Sequence, residues 1–301
     1  MKIRRKAVEN IGSALHLKEA WIVNKILRKK VLNPTVTLME VDAPLIARKA
    51  EPGQFIILRV DENGERIPLT VADFDREKGS VTIIFQVVGA TTEKLNHLSE
   101  GDFIHDFVGP LGRATNTEGL KKVAVVGGGV GCAIAYPVTK KLFDQGAEVH
   151  AIAGFRNKDL VILEDEFAAH STRFVRMSDD GSWGEKGLVT DALKKLIESG
   201  EKYDEVITIG PLIMMKFVCR LTKEYGVKTI ASMNPIMIDG TGMCGGCRLT
   251  VGGKTRFACV DGPEFDGHEI DFDEAIARGR TYQDFERHAF EEACNLFKEA
   301  K

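Results

Sequence analysis

Val123-Ala-Val-Val-Gly127-Gly128-Gly129-Val130-Gly131-Cys132 reads as a short buried strand that runs into a glycine cluster and then into helical periodicity over 132–143. A strand feeding a helix through such a turn opens a doubly wound α/β sheet, which binds ligands beyond the carboxyl ends of its strands. The alternation continues through 148–154, a helix near 162–170, then 174–177, 188–198, 206–209 and 212–225, and so predicts a parallel sheet. Gly128, Gly129, Val130 and Gly131 are therefore candidate dinucleotide contacts. The spacing is not G-x-G-x-x-G, and Gly154-Phe155-Arg156-Asn157 stands where an acid would end the second strand. Arg156 favours a 2′-phosphate, whereas Asp179 and Asp180, after the third strand, accept ribose hydroxyls and repel that phosphate. The balance of these opposed cues points to NADH.

Upstream the rhythm differs. Runs at 21–26, 35–41, 54–60 and 81–88 are separated by the turn signals Asn33-Pro34, Pro52-Gly53 and Asn63-Gly64, the pattern of an antiparallel barrel. Within it, Arg66-Ile-Pro68-Leu69-Thr70 sets a guanidinium and a hydroxyl four residues apart on a proline-stiffened strand. That pair suits a flavin, the guanidinium meeting phosphate and the hydroxyl the ring edge, although alone it reads as an ordinary strand-edge pair. Val88-Gly89-Ala90-Thr91-Thr92 then leads into a helix, which offers free amides to a pyrophosphate. Val108-Gly109-Pro110-Leu111-Gly112 closes the barrel against the next domain, and the polar stretch 112–119 marks the boundary. The expected division is 1–115, 116–231 and 232–301.

Past Met233 the periodicity stops. Asp239, four residues, Cys244, two residues, Cys247, eleven residues and Cys259 follow the plant-type [2Fe–2S] spacing with aspartate in the first ligand position. Glycines at 240, 242, 245 and 246 let backbone amides approach the sulfides. The competing reading is a structural zinc held by the three cysteines with Asp239 or His268; for Asp239 itself, the competitor is a cap on the loop amides. Residues 248–251 and 255–258 around Gly252-Gly253 predict a hairpin that returns Cys259 to the metal. Cys132, Cys219 and Cys294 stand alone and read as small core residues, and so do the seven scattered histidines, as core or surface structure.

Across 301 residues the formal net charge of −3 mixes both signs, so no nucleic-acid stripe or polybasic membrane surface is expected. Arg4-Arg5 faintly suggests a twin-arginine signal, but Glu9, His16, Lys18 and Glu19 prevent an apolar stretch from following, which predicts a cytoplasmic protein. No run reaches the ~20 apolar residues of a membrane helix.

Taken in order, Arg66–Thr70, Gly109–Gly112, Gly127–Gly131, Gly210-Pro211 with Met214-Met215, and the cysteine loop resemble the ferredoxin–NADP reductase superfamily over roughly residues 20–270. Within it the chain is similar to the electron-transfer subunits of dihydroorotate dehydrogenase and, more closely, to the small subunits of NADH-dependent reduced ferredoxin:NADP oxidoreductases, or sulfide dehydrogenases. The former carry four cysteine ligands. The latter share Asp239 and the acidic stretch 260–268. The resemblance implies a Greek-key flavin barrel holding FAD near Arg66 and Thr70, and a nucleotide domain holding NAD(H), with Gly210 and Pro211 among its contacts. It also implies a C-terminal [2Fe–2S] module and a larger flavin and iron–sulfur partner subunit, with electrons carried to or from ferredoxin by flavin-based bifurcation. A third reading is a non-catalytic nucleotide-binding protein with a zinc knuckle.

Overall fold

The computed structural model describes residues 24–299, with side chains through 292. The first half of the run predicted at 21–26, the N-terminal arginines and the Cys294 side chain lie outside the described residues. The barrel comprises β1 (Ile26–Asn33), β2 (Val36–Asp42), the helical turn α1 (Pro44–Ala47), β3 (Phe55–Arg59), β4 (Ile67–Asp75), β5 (Ser80–Gln86), α2 (Ala90–His97) and β6 (Asp106–Leu111). Its six strands lie in the order β1-β2-β5-β4-β3-β6, all neighbours antiparallel. β6 returns beside β3 after the β3-β4-β5 meander, which is a Greek key. The first strand begins where the apolar run ends, because its exposed Arg28 and Lys30 suit a sheet edge. The Asn33 side chain accepts the Thr35 N–H at 2.9 Å and so folds the turn into β2.

Alternation on β3 divides two cores. Ile56 and Leu58 point into the barrel with Met39, Ile83 and Phe85. Phe55 and Ile57 point out, towards the C-terminal module. Each such buried side chain contributes about 1.5–3 kcal/mol.

The second sheet is built from β7 (Lys122–Gly128), α3 (Cys132–Asp144), β8 (Glu148–Phe155), α4 (Glu164–Ala169), β9 (Arg173–Ser178), β10 (Glu185–Lys186), α5 (Val189–Glu198), β11 (Glu205–Ile209), α6 (Leu212–Glu224) and β12 (Thr229–Ser232). The strand order β10-β9-β8-β7-β11-β12, with a short C-terminal strand β15 (Glu264–Asp266) beyond β12, puts the topological switch between β7 and β11. Val36, Ala72 and Ile84 of the barrel share one apolar cluster with Cys132, Ala133 and Tyr136 of α3. Barrel and sheet are thereby packed together.

The C-terminal region comprises β13 (Arg248–Val251), β14 (Lys254–Phe257), α7 (Ala258–Asp261), β15 (Glu264–Asp266), α8 (Phe272–Gly279) and α9 (Gln283–Glu299). β13 and β14 form the expected hairpin. β15 was not foreseen. It pairs antiparallel with β12, so the module after residue 232 contributes an edge strand to the nucleotide sheet. α9 packs against α2. Among the described residues no helix is long and apolar enough to cross a membrane.

Candidate functional site

Three surfaces converge on the outward face of β3 and β4. Phe55 pairs with Thr70 and Ile57 with Pro68, and opposed residues of an antiparallel pair share a face. Thr70 and Pro68 therefore stand on the side that carries Phe55 and Ile57, while Leu69 turns into the barrel core and offers this face only its backbone. Arg66 opens onto a pocket of about 180 Å³ with Ile57, Asp106, Val108 and Asp239. The start of α2 is close by, since the Thr91 hydroxyl reaches the Glu65 carboxylate at 3.3 Å. The first helical bond of α2 runs from Glu93 N–H to the Gly89 carbonyl at 2.9 Å, so the amides of Ala90, Thr91 and Thr92 precede the intrahelical ladder. The Thr92 hydroxyl accepts the N–H groups of Val88 and Gly89, both at 3.0 Å, and shapes that turn. Val88 itself is exposed. A guanidinium, a helix N-terminus and a hydroxyl-bearing flat strand face fit a flavin and its diphosphate.

The glycine turn is required by a close approach. A Cβ on Gly131 would lie 2.7 Å from the Gly210 Cα, and Gly129 has φ +55°. The turn Gly129–Gly131 leads from β7 into α3 directly across from Gly210 and Pro211, which begin α6. At the other side of the crevice, Asp179 N–H donates to the Phe155 carbonyl at 3.1 Å and Asp180 N–H to the Arg156 carbonyl at 3.3 Å. Arg156, Asp179 and Asp180 are thus neighbours, all exposed. Ser182 N–H and its hydroxyl hold the Asp180 carboxyl below its ordinary range.

In the C-terminal loop, the Sγ atoms of Cys247 and Cys259 are 3.2 Å apart and almost fully buried, while Cys244 is exposed. Burial, reinforced by the neighbouring Cys247 sulfur, pushes the Cys259 thiol up to about 12. A thiolate there needs a compensating cation. Gly246 N–H points at Cys244 Sγ at 3.4 Å and Cys259 N–H at Cys247 Sγ at 3.5 Å, the amide-to-sulfur contacts that tune a cluster. These donors fit an iron–sulfur cluster. Asp239 is held by its own loop: its carboxylate accepts N–H bonds from Thr241 at 3.0 Å, Met243 at 3.0 Å and Cys244 at 2.8 Å. Those amides hold its carboxyl below the usual range, Thr241 foremost. The carboxylate caps the loop, and Asp239 lines the same pocket as Arg66.

A single zinc ion requires its ligand atoms close together. Among the described residues, three potential ligand atoms within 4.8 Å of one another occur at Glu148, His150 and Glu201, not in the cysteine loop. There the Lys122 ammonium, 2.8 Å from Glu148, already lies among the carboxylates, at the strand ends remote from the glycine turn. Cys132 and Cys219 are buried thiols pushed up to about 12 by desolvation, in keeping with core roles.

One feature carried no sequence signal. Glu264 on β15 accepts the Thr115 hydroxyl at 2.7 Å beneath the Pro52-Gly53 turn, and burial raises its carboxyl to about 7. Met214 of α6 covers Gly128 and Gly210. Glu264 sits in the acidic stretch 260–268, where nothing local marks it for burial, whereas Met214 belongs to the Gly210-Pro211 and Met214-Met215 motif.

The comparisons agree with this arrangement. Residues 234–271 match the iron-sulfur cluster binding domain of dihydroorotate dehydrogenase B, and residues 125–220 an oxidoreductase NAD-binding domain. A homologue of the dihydroorotate dehydrogenase B (NAD(+)) electron transfer subunit from Thermotoga maritima is 46% identical over 269 residues, covering 89% of this chain and 95% of its own. The corresponding subunit of Fusobacterium nucleatum is 32% identical over 244 residues, covering 78% and 92%. A solved chain of an NADH-dependent reduced ferredoxin-NADP oxidoreductase, described with flavin-based electron bifurcation, superposes with a TM-score of 0.86 at 44% identity, covering 90% of this chain and 97% of that one.

Proposed function

We propose, from the premise that the chain belongs to the family of dihydroorotate dehydrogenase B electron transfer subunits and their homologues, that it serves an NADH-dependent ferredoxin:NADP oxidoreductase of the bifurcating kind. It is an oxidoreductase subunit that works with FAD, a [2Fe–2S] cluster and NAD(H), as part of a larger complex. The observation that carries the finer reading is Asp239, a carboxylate in the first ligand position of the cluster loop that lines the same pocket as Arg66. The likeness to the ferredoxin-NADP oxidoreductase chain supports it.

FAD is assigned to residues 1–115, the dinucleotide to 116–231 and the cluster to 232–301. When bound, the flavin would accept one hydride, which carries two electrons, and the cluster would pass electrons singly, so the protein needs no acid–base residue and supplies position and electrostatics. Arg66 and the amides of Ala90, Thr91 and Thr92 bind the flavin diphosphate, while Pro68, Leu69 and Thr70 line the ring edge. Gly128, Gly129, Val130, Gly131, Gly210 and Pro211 admit the dinucleotide backbone. Asp239, Cys244, Cys247 and Cys259 hold the cluster on the barrel side of the module, where Gly240 lies against Ile57 and Leu111. That contact keeps the cluster loop beside the flavin face.

Purification of the native complex and identification of its second chain test the assignment. A partner carrying its own flavin and [4Fe–4S] clusters is expected. A dihydroorotate-oxidising partner with no ferredoxin-linked activity overturns the bifurcating reading in favour of the pyrimidine one.

A further inference from the structure

Three guanidiniums bond to the backbone of the cysteine loop. Arg248 Nη1 donates to the Gly245 carbonyl at 3.1 Å, and Arg278 Nη2, from α8, donates to the next carbonyl, Gly246, at 3.2 Å. Both carbonyls lie between Cys244 and Cys247. Arg113, just past β6, donates from Nε to the Val260 carbonyl at 3.1 Å, one residue beyond Cys259. Its backbone N–H donates to the Gly262 carbonyl at 2.7 Å, which anchors it to the same segment. Each stretch of chain that carries cysteine therefore has arginine on its carbonyls.

The bond to Gly245 shows how such a cation reaches a sulfur. A peptide unit joins one residue's carbonyl to the next residue's N–H as a single dipole, so the Gly245 carbonyl belongs with the Gly246 N–H, which points at Cys244 Sγ at 3.4 Å. A guanidinium on the carbonyl polarises the unit and strengthens its N–H as a donor to sulfur. Arg278 acts likewise on the unit that ends in the Cys247 N–H. Arg278 is partly buried, whereas Arg113 and Arg248 are exposed, so water and salt screen Arg278 least. Among the described residues none of the three guanidiniums is ion-paired with a carboxylate. Asp239 and Asp261 are the opposing charges on this loop, and both are engaged by its amides, Asp261 by the Phe257 N–H at 2.8 Å. Net charge and hydrogen bonds to sulfur set the potential of an iron–sulfur cluster, and its reduced form carries one more negative charge than the oxidised form. Fixed cations favour the reduced form.

We propose that Arg248 and Arg278, with Arg113 as the third member, form a cationic collar that raises the reduction potential of the cluster, acting through backbone dipoles and not as ligands. The inference rests on the cluster reading of residues 232–301. Redox titration of the purified full chain, followed by the electron paramagnetic resonance signal of the reduced cluster and accompanied by iron quantitation, tests it. Arg248→Gln and Arg278→Gln keep an amide donor and lose the charge. At the potential where the parent cluster is half reduced, each lowers the reduced-to-oxidised ratio about threefold, a fall of roughly 28 mV at about 59 mV per tenfold for one electron. Arg248→Lys and Arg278→Lys keep the charge and stay well inside that shift. Parent-like ratios in both Gln variants, with full iron, overturn the inference. So does a Lys variant displaced as far as its Gln counterpart, which shows that bond geometry matters and charge does not. Where a Gln variant loses its iron, Arg113→Gln, on the other segment, supplies the charge test with the same deciding outcomes. A parent chain with no reducible iron–sulfur signal removes the cluster reading itself, a result distinct from these.

Discussion

Cys247 and Cys259 are separated by the whole β13–β14 hairpin, yet their Sγ atoms lie 3.2 Å apart, both under 3% exposed. The hairpin exists to bring them together: Arg248 pairs with Phe257, which puts the two cysteines at its open end. Two buried sulfurs at this distance repel once ionised and stay protonated without a cation. Cys259→Ser replaces a soft ligand with a hard hydroxyl, and purified variant protein is expected to lose its iron and the visible absorbance of the cluster while its flavin content stays. Metal analysis with flavin quantitation checks this; full iron content in the variant contradicts the cluster assignment.

Arg66 supplies the only charge-assisted contact proposed for the flavin diphosphate from β4 and its approach. Loss of such a bond costs about 1.5–3 kcal/mol, so Arg66→Ala weakens FAD binding roughly tenfold to a hundredfold. Flavin fluorescence during dialysis reads the change. Equal retention of FAD by variant and parent sinks the assignment.

Asp179 and Asp180 lie beside Phe155 and Arg156 through backbone hydrogen bonds, at the end of the crevice proposed for the adenosine half. Two negative charges disfavour a 2′-phosphate at close range more than one exposed guanidinium favours it. NADH is expected to bleach the flavin faster than NADPH in stopped-flow mixing, and the double variant Asp179→Asn with Asp180→Asn should narrow the ratio. A parent protein that prefers NADPH reverses the order of these cues.

Much of this was legible before the coordinates. The parallel sheet followed from strand–helix alternation, and the cluster loop from cysteine spacing, because both signals are local. The barrel was legible as strands but not as an order: β2 pairs with β5 across the β3–β4 hairpin, and no local pattern encodes that non-local pairing. β1 was misplaced because its Arg28-Lys29-Lys30 core suits a solvent-facing edge rather than an apolar run. β15 escaped notice because three residues, two of them acids, make no period, and only the edge of β12 draws them into a strand. Leu69, named as a flavin contact, packs its side chain against the barrel core and leaves its backbone for the cofactor face.

Glu264 gives a pH dependence whose sign is set by burial. Its folded carboxyl is raised from 4.5 to about 7, chiefly by desolvation, against the opposing Thr115 hydrogen bond. A carboxyl raised on folding binds its proton more tightly in the native state, so its contribution is fully present below about pH 4.5 and lost as pH rises through about 7. Glu264→Gln keeps an acceptor for Thr115 and cannot ionise. The variant is expected to melt higher than the parent at pH 8, with the gap closing by pH 5. Thermal melts at both values check it; a gap that is constant with pH shows that Glu264 does not titrate in this range.

The last prediction concerns Asp239, whose carboxylate accepts amides from Thr241, Met243 and Cys244. Those bonds fit a cap that shapes the loop, and with the Thr241 hydroxyl, 3.4 Å from Oδ2, they saturate that oxygen; Oδ1 accepts only the Thr241 N–H and keeps one acceptor site for iron, since a carboxylate oxygen has two. The cap and the ligand part on substitution. Asp239→Ala removes both functions, so the cluster becomes labile either way, and iron is lost on dialysis faster than from the parent. Asp239→Cys separates them: a thiolate is a poor amide acceptor and a good iron ligand. A cluster held by Asp239 persists in that variant with altered electron paramagnetic resonance g-values and a shifted potential, because a soft, covalent ligand replaces a hard one. If the variant instead loses its iron as the alanine form does, the carboxylate is a cap alone, and the fourth ligand must be sought elsewhere in the chain.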